Sequence, residues 1–238
     1  NIERIIATES TGSVAAFMAE PCMAAGGAII PPDDYLREVK RICEANGMLF
    51  IADEVTTGFG RTGKMFGVEY SGVKPDVMAI GKIMGGGLVI SATMTSEDIA
   101  KDFWTGSPTT LAGNALCCVA GLASIEVLQK ENLCENSRQI GDYFVSQLNE
   151  LASRHELIGD VRGKGLLVGV ELVKDRKTKE PAYEEATNAA MEMRKRGVIM
   201  FSGGLYAVLR FQPPLVITKE EIDKVVERLD QSLKSIES

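Results

Sequence analysis

Histidine is almost missing from this sequence: His155 is the single one in 238 residues. That count all but excludes metal sites built on imidazole, and a hydrolytic triad would depend on this one side chain for its base. The five cysteines, Cys22, Cys43, Cys117, Cys118 and Cys134, show no paired metal spacing. An odd number with two of them adjacent does not make a disulfide framework, so free thiols are the expectation. Excess positive charge is also lacking. Thirty-three acidic residues against 26 basic ones leave a formal charge of -7, which argues against a nucleic-acid partner needing a basic face. No apolar run is long enough to span a bilayer, and no basic-then-apolar leader opens the chain, so no membrane partner and a cytoplasmic address are expected.

What is present is a large apolar fraction, 45% of the residues, enough for one large or two modest domains. Two stretches organise it. Residues 48–63 and residues 75–87 each begin with a short apolar run suited to a buried parallel strand. Each run delivers charge at its carboxyl end, Asp53 and Glu54 in the first and Lys82 in the second, and glycine-rich turns follow. In open α/β sheets that edge is where ligands bind. An acid able to hold a pyridinium nitrogen, beside a lysine able to form an imine, is the minimum kit of a pyridoxal-phosphate site. Each residue also has a plainer reading. Asp53 serves equally as a salt-bridge or capping carboxylate, and Lys82 as a lysine snorkelling to water. Its neighbours Ile80, Ile83 and Met84 would, in the first reading, strip the ammonium of water, and Gly85-Gly86-Gly87 would let backbone approach a ligand.

Along the chain, residues 1–12 read as a surface helix, and 14–19 as a strand ended by Glu20-Pro21. Asp33 or Asp34 caps a helix with Leu36, Val39, Ile42 and Cys43 on one face, which Asn46-Gly47 stops. That unit crosses over to the next strand and brings Glu20 and Asp53 to one sheet edge. Residues 58–63, with Arg61 among glycines, meet neither phosphate-binding fingerprint, and Arg61 is read as structural or interface-forming. Residues 89–94 form a further strand, and Ser96 opens a short helix. In the hydroxyl-rich loop 106–114, Thr109 or Thr110 either contributes to a phosphate site or caps the turn. Apolar spacing from Ala115 to Leu151 predicts one long helix entering a second region, with the boundary near Gln129. Beyond it come strands at 165–173, 197–200 and 207–211, a helix at 183–196, and a capping box, Thr218 to Glu221, opening a last amphipathic helix. Arg210 lies in an apolar strand, either on a solvent face or pointing inward as a two-donor partner for a carboxylate.

The segments Ala19-Glu20-Pro21, 51–63, 79–82, 109–114 and 162–166 together resemble, in that order, the class III aminotransferases of the ornithine and 4-aminobutyrate type. The resemblance runs almost end to end, yet corresponds to the C-terminal part of such an enzyme. It implies an α/β fold of the fold-type I pyridoxal-phosphate transferases: residues 1–129 as the C-terminal part of the large, mostly parallel-sheet domain, and 130–238 as the small C-terminal α/β domain. It implies pyridoxal 5'-phosphate held by Lys82 as a Schiff base, with Asp53 on the ring nitrogen and Val55 packed on the ring. Thr56 stands where the family usually has glutamine. Thr110 matches a threonine that reaches the cofactor phosphate of a neighbouring subunit, which implies a homodimer, although Leu111, Ala112 and Ala115 depart from the usual pattern. Arg210 matches the arginine that binds a substrate carboxylate, and Glu20 the glutamate that neutralises it.

The activity so implied is transamination between an amino acid or amine, such as 4-aminobutyrate or ornithine, and a 2-keto acid such as 2-oxoglutarate. Two alternatives stand beside it. One is an amino-acid racemase or epimerase of the same family. The other is an inactive fragment or one half of a split enzyme acting as a partner-binding module, because the family's Gly/Ser-rich phosphate loop and stacking aromatic residue are not found in these residues.

Overall fold

The computed structural model describes residues 1–102, 110–200 and 207–237. They form two compact units. The first comprises Asn1–Pro21, Pro31–Phe59 and Lys64–Asn132; the second comprises Cys22–Ile30, Gly60–Gly63 and Leu133–Ser238. Among the described residues, no helix is long and apolar enough to cross a membrane.

The first unit is built on a four-stranded sheet in the order β1-β2-β3-β4, with β1 Ala16–Ala19, β2 Leu49–Asp53, β3 Val77–Ile80 and β4 Ala92–Thr95. The first three strands are parallel, and β4 runs antiparallel along β3. Helix α1, Ile2–Glu9, opens the chain, and α2, Tyr35–Ala45, makes the crossover from β1 to β2. The residues α2 buries are Leu36, Val39, Ile42 and Cys43, the four its spacing puts on one face. Leu36, Val39 and Cys43 pack with Phe50, Ala52 and Val68. Asp34 occupies the N-cap without a side-chain capping bond. At the other end Gly47 takes φ +65°, and the amides of Gly47 and Met48 return to the carbonyls of Glu44 and Cys43, a Schellman closure.

Register between β2 and β3 is pinned from below by Asp76. Its carboxylate accepts from the Phe50 amide at 2.7 Å and from Lys40 Nζ at 2.8 Å, while its own amide donates to Phe50 O at 2.9 Å. Burial pushes this carboxyl up, but the bonds from Lys40 and Phe50 outweigh it and hold it below its ordinary value. A depressed carboxyl contributes stability that is present above its unfolded pKa and lost as pH falls through the folded one. Asp76→Asn is therefore expected to cost about 2 kcal/mol at neutral pH. In urea titrations across a pH series the gap to wild type should close below the carboxylate range; a gap that persists in acid would show that charge is not its source.

Helices α3, Glu97–Ala100, and α4, Ala115–Lys130, complete the first unit, and α5, Leu133–Ala152, begins the second. The single long helix expected from Ala115 to Leu151 is thus two. Asn132 adopts φ +52°, a left-handed conformation that asparagine tolerates and a helix does not, and the chain turns there. On α4, Leu128 is buried but Leu116, Val119 and Leu122 are exposed.

In the second unit β5, Ile158–Lys164, pairs antiparallel with β6, Leu167–Asp175, through a two-residue turn; β6 also carries β8, Val208–Phe211, and near its end β7, Glu180–Pro181. Helix α6, Tyr183–Lys195, and α7, Lys219–Glu237, pack with α5 on this sheet around Phe144, Leu148, Val170, Met193, Ile222 and Leu229. The Thr218 box forms as expected: the Thr218 amide reaches Glu221 Oε2 at 2.9 Å and the Glu221 amide reaches Thr218 Oγ1 at 3.3 Å. The strand expected at 197–200 is not formed over its described residues. Gly197, at φ +81°, and Val198 instead give their amides to the carbonyls of Arg194 and Met193, closing α6 rather than joining a ladder.

Candidate functional site

Parallel pairing decides what stands at the sheet's carboxyl edge. Ala19 of β1 lies opposite Ala52 of β2, and Asp53 lies opposite Ala79 of β3. Glu20 and Asp53 therefore leave their strands at the same level, and Lys82 follows two residues after the end of β3. After β2 the chain makes one tight turn, closed by Gly58 N to Glu54 O at 2.9 Å. Asp53 is half-buried and its Oδ1 accepts from Val55 N at 3.1 Å, which fixes the carboxylate against the start of that turn. From the turn, Thr56 presents its hydroxyl to Lys82, whose Nζ donates to Thr56 Oγ1.

The covered lysine expected from its apolar neighbours is not what the structure has. Ile80 turns inward and is buried, whereas Lys82, past the strand end, stands exposed. Its backbone adopts φ +47°, the left-handed region that costs a residue with a Cβ about 1 kcal/mol.

Glu54 plays a larger structural part than its sequence position announces. Side chains alternate across a strand, so Asp53 and Glu54 leave on opposite sides. Glu54 is fully buried, taking the Gly67 amide at 2.9 Å, the Val68 amide at 2.7 Å and the Thr57 hydroxyl. Burial pushes its carboxyl up, and those three donors pull it partly back. A Cβ on Gly67 would come within 2.9 Å of Pro21 Cβ and 3.1 Å of Thr57 Cβ, so only glycine lets that amide approach. No sequence signal marks this role, because the two amides that need the acceptor lie 13 and 14 residues further along the chain.

Arg61 belongs to the second unit and is buried. Its Nη1 donates to Leu166 O at 3.1 Å and Pro213 O at 2.6 Å, and burial pulls its pKa down to about 10. Arg210 sits on β8 opposite Gly169, half-buried, with Nη1 donating to Ala24 O at 3.2 Å. It lines a cavity of about 560 Å³ within the second unit, with Phe211, Gln212 and Arg228. Val55 is half-buried and Thr110 exposed; Thr109 lies outside the described residues. Thr110 is not the cap of α4. Asn114 is, its Oδ1 accepting from Leu116 N at 3.0 Å and Cys117 N at 3.3 Å.

Three parallel strands and the turns that follow them bring a carboxylate, a hydroxyl and a lysine amine to the carboxyl edge of an α/β sheet, and solved structures show the same fold. A Bacillus anthracis aminotransferase superposes with a TM-score of 0.92 at 37% identity, over 98% of this chain and 55% of that one. An amine transaminase from an uncultivated Pseudomonas species, in its PLP-bound form, does so with a TM-score of 0.92 at 33% identity, over 98% and 55%. The fold is thus that of the fold-type I transaminases.

The family model for class III aminotransferases matches residues 1–233, and the chain belongs to that family. Among curated relatives, a leucine/methionine racemase of Thermococcus litoralis is 43% identical over 94% of this chain and 51% of its own length. An alanine–glyoxylate aminotransferase homologue of Arabidopsis thaliana is 39% identical over 99% and 50%. A taurine–pyruvate aminotransferase of Bilophila wadsworthia is 35% identical over 99% and 55%. The chain spans about half the length of these relatives.

The family implies pyridoxal phosphate, and the donor set fits it. Lys82 offers an amine for an aldehyde, and Asp53 has one carboxylate oxygen beyond its turn bond for a protonated ring nitrogen.

Proposed function

We propose that this chain carries the lysine side of a pyridoxal-phosphate-dependent transamination between an amino acid or amine and a 2-keto acid. The observation that supports it most is the gathering of Asp53, Thr56 and Lys82 at the ends of adjacent parallel strands, with the Lys82 amine held by Thr56. When bound, the cofactor supplies an electron sink for the substrate's α-carbon. Lys82 would hold it and move the proton at that carbon, since an amine so placed has the reach and basicity of a general base. Asp53 would keep the ring nitrogen protonated, with Val55 against the ring. Thr110 would reach phosphate in a second copy of the chain, making the unit of function a homodimer. Arg210 would grip a substrate carboxylate with its planar fork, and Glu20 would balance that charge for an amine lacking a carboxylate. Donors of the 4-aminobutyrate or ornithine type, with 2-oxoglutarate as acceptor, suit that pair. A cytoplasmic setting agrees with five free cysteines.

Racemisation is the second reading, favoured by two relatives, the Thermococcus litoralis enzyme and an alanine/serine racemase of Pyrococcus horikoshii at 38% identity.

The test is borohydride reduction of the purified chain after incubation with pyridoxal phosphate, followed by peptide mass mapping. A stoichiometric pyridoxyl adduct at Lys82 is expected; scattered labelling of surface lysines would mean that this chain alone does not assemble the site. Keto acid formed from a donor panel then marks transamination. Solvent deuterium at the α-carbon of recovered amino acid, without keto acid, marks racemisation.

A further inference from the structure

We propose that Thr56 is a positioning residue for Lys82, its hydroxyl holding the lysine amine in place whenever that amine is not bonded to a ligand. The catalytic meaning of the contact rests on the pyridoxal-phosphate reading above; the contact itself does not.

Two backbones that are each independently fixed meet at this bond. On the lysine side, the residues after β3 form a short turn in which Met84 N donates to Gly81 O at 3.1 Å and Gly86 N to Ile83 O at 2.9 Å. Ser124 of α4 ties that turn down, its hydroxyl donating to Ile83 O at 3.1 Å. The strained φ of Lys82 is tolerated only because those bonds over-determine it. On the threonine side, the turn after β2 is closed by Gly58 and anchored through Thr57 to the buried Glu54. Glu54 in turn is fixed by the amides of Gly67 and Val68.

An exposed lysine loses up to about 2 kcal/mol of rotamer freedom when held in one place, so such a side chain needs a partner to stay near the sheet edge. Threonine suits the task. Its branched Cβ restricts χ1, so the hydroxyl is presented with little further entropy to lose. Lysine donates three N–H bonds and a hydroxyl both accepts and donates, so the pair keeps a bond whether the amine is charged or neutral. A lysine that must alternate between a bonded and a free state is thereby returned to one position, at the turn after β2, rather than released to solvent.

The test is competitive trace acetylation of the whole protein without cofactor, across a pH series, read by peptide mass mapping. Lys130 serves as the exposed reference. Lys40, held by Asp76 with only 18% of its side chain exposed, reports the fold. Thr56→Val is expected to raise Lys82 labelling relative to Lys130 about fivefold, the weight of one net hydrogen bond. Thr56→Ser should restore the wild-type ratio and pH profile. A Thr56→Val profile that tracks wild type, or a Thr56→Ser profile that tracks Thr56→Val, overturns the proposal. Should valine distort the turn, seen as a rise at Lys40, Thr56→Ala decides by the same ratio. Loss of borohydride trapping at Lys82 in wild type would sink the cofactor reading and leave this contact standing. An unchanged ratio in Thr56→Val with trapping intact would sink the contact alone.

Discussion

Replacing Glu54 with alanine is expected to destabilise the protein by about 3 kcal/mol, measured as a lowered urea midpoint, because the change strands several buried donors at once. The amides of Gly67 and Val68 and the hydroxyl of Thr57 all point at this one fully buried carboxylate. Each would be left without an acceptor, and the lost side-chain volume adds a cavity. Removing a buried carboxyl returns something, since its burial is itself costly, and this is why the expected loss is smaller than three unmade bonds would give. Glu54→Gln keeps one acceptor oxygen but turns an NH2 toward an amide, so about half the loss is expected. Acid pH separates the contributions. Burial pushes the Glu54 carboxyl up overall, so its contribution to stability is complete below the unfolded carboxylate pKa and declines as pH rises through the folded one. The gap between wild type and Glu54→Gln should therefore be widest in acid and narrow toward neutrality. A gap that widens toward neutral pH would mean that the ionised form is the one the fold prefers.

Glu54 also shows what a sequence does and does not disclose about a site. Two acids in a row at a strand end must part to opposite sides, and that much follows from the pleat. Which of them turns inward depends on the Gly67 and Val68 amides, and no local pattern links residues 54 and 68. Asp53 and Lys82 were legible for a different reason. Each is the first charged residue after a short apolar run, and parallel strands of similar length bring such residues to one edge. The exposure of Lys82 was not legible, because apolar neighbours in sequence tell only which residues seek burial. Ile80 takes the inward place and leaves the lysine outside.

The same division runs through the fold. Helix α2, with its four buried residues and its Asn46-Gly47 stop, and α7, with its Thr218 box, could be read because periodicity and capping act within a few residues. Strand β5 could not. Its residues include Gly159, Asp160, Arg162, Gly163 and Lys164, so no alternation marks it, and it is a strand because β6 offers a ladder from Ile158 to Lys164. Spacing along α4 puts Ala115, Val119 and Leu122 with Leu128, but spacing says which residues share a face and not what that face meets. In this chain Val119 and Leu122 are at the surface. Asn132 broke the long helix without a proline or glycine to announce it, since asparagine adopts a left-handed conformation readily but does so only on occasion.

Among the described glycines the closest approach is at Gly141, where no side chain stands at all, and it yields the larger of the stability effects. Gly141 on α5 faces the turn between β5 and β6, and a Cβ added there would fall 2.1 Å from Gly165 O and 2.3 Å from its carbonyl carbon. Gly165 cannot retreat. It has φ +55°, and a Cβ on it would already lie 2.4 Å from Thr62 C and 2.7 Å from Gly63 N. Behind it, Arg61 O accepts from Leu166 N at 3.0 Å and from Ser137 Oγ at 3.1 Å, so helix, turn and the 60–63 segment are three backbones in direct contact. Only backbone would have to move to admit a methyl group, and interiors packed to this density do not yield cheaply. Gly141→Ala is therefore expected to cost more than about 4 kcal/mol, or to leave the second unit unfolded, by urea denaturation and circular dichroism. Helix propensity argues the other way by about 1 kcal/mol, since alanine is the better helix former, so any loss must come from the contact. Gly121 on α4 is the control. A Cβ there meets nothing nearer than Met84 O at 3.4 Å, and Gly121→Ala should leave stability unchanged or slightly raised. Equal midpoints for the two variants would show that α5 can lift from the turn, and that the close approach of Gly141 to Gly165 does not hold the second unit together.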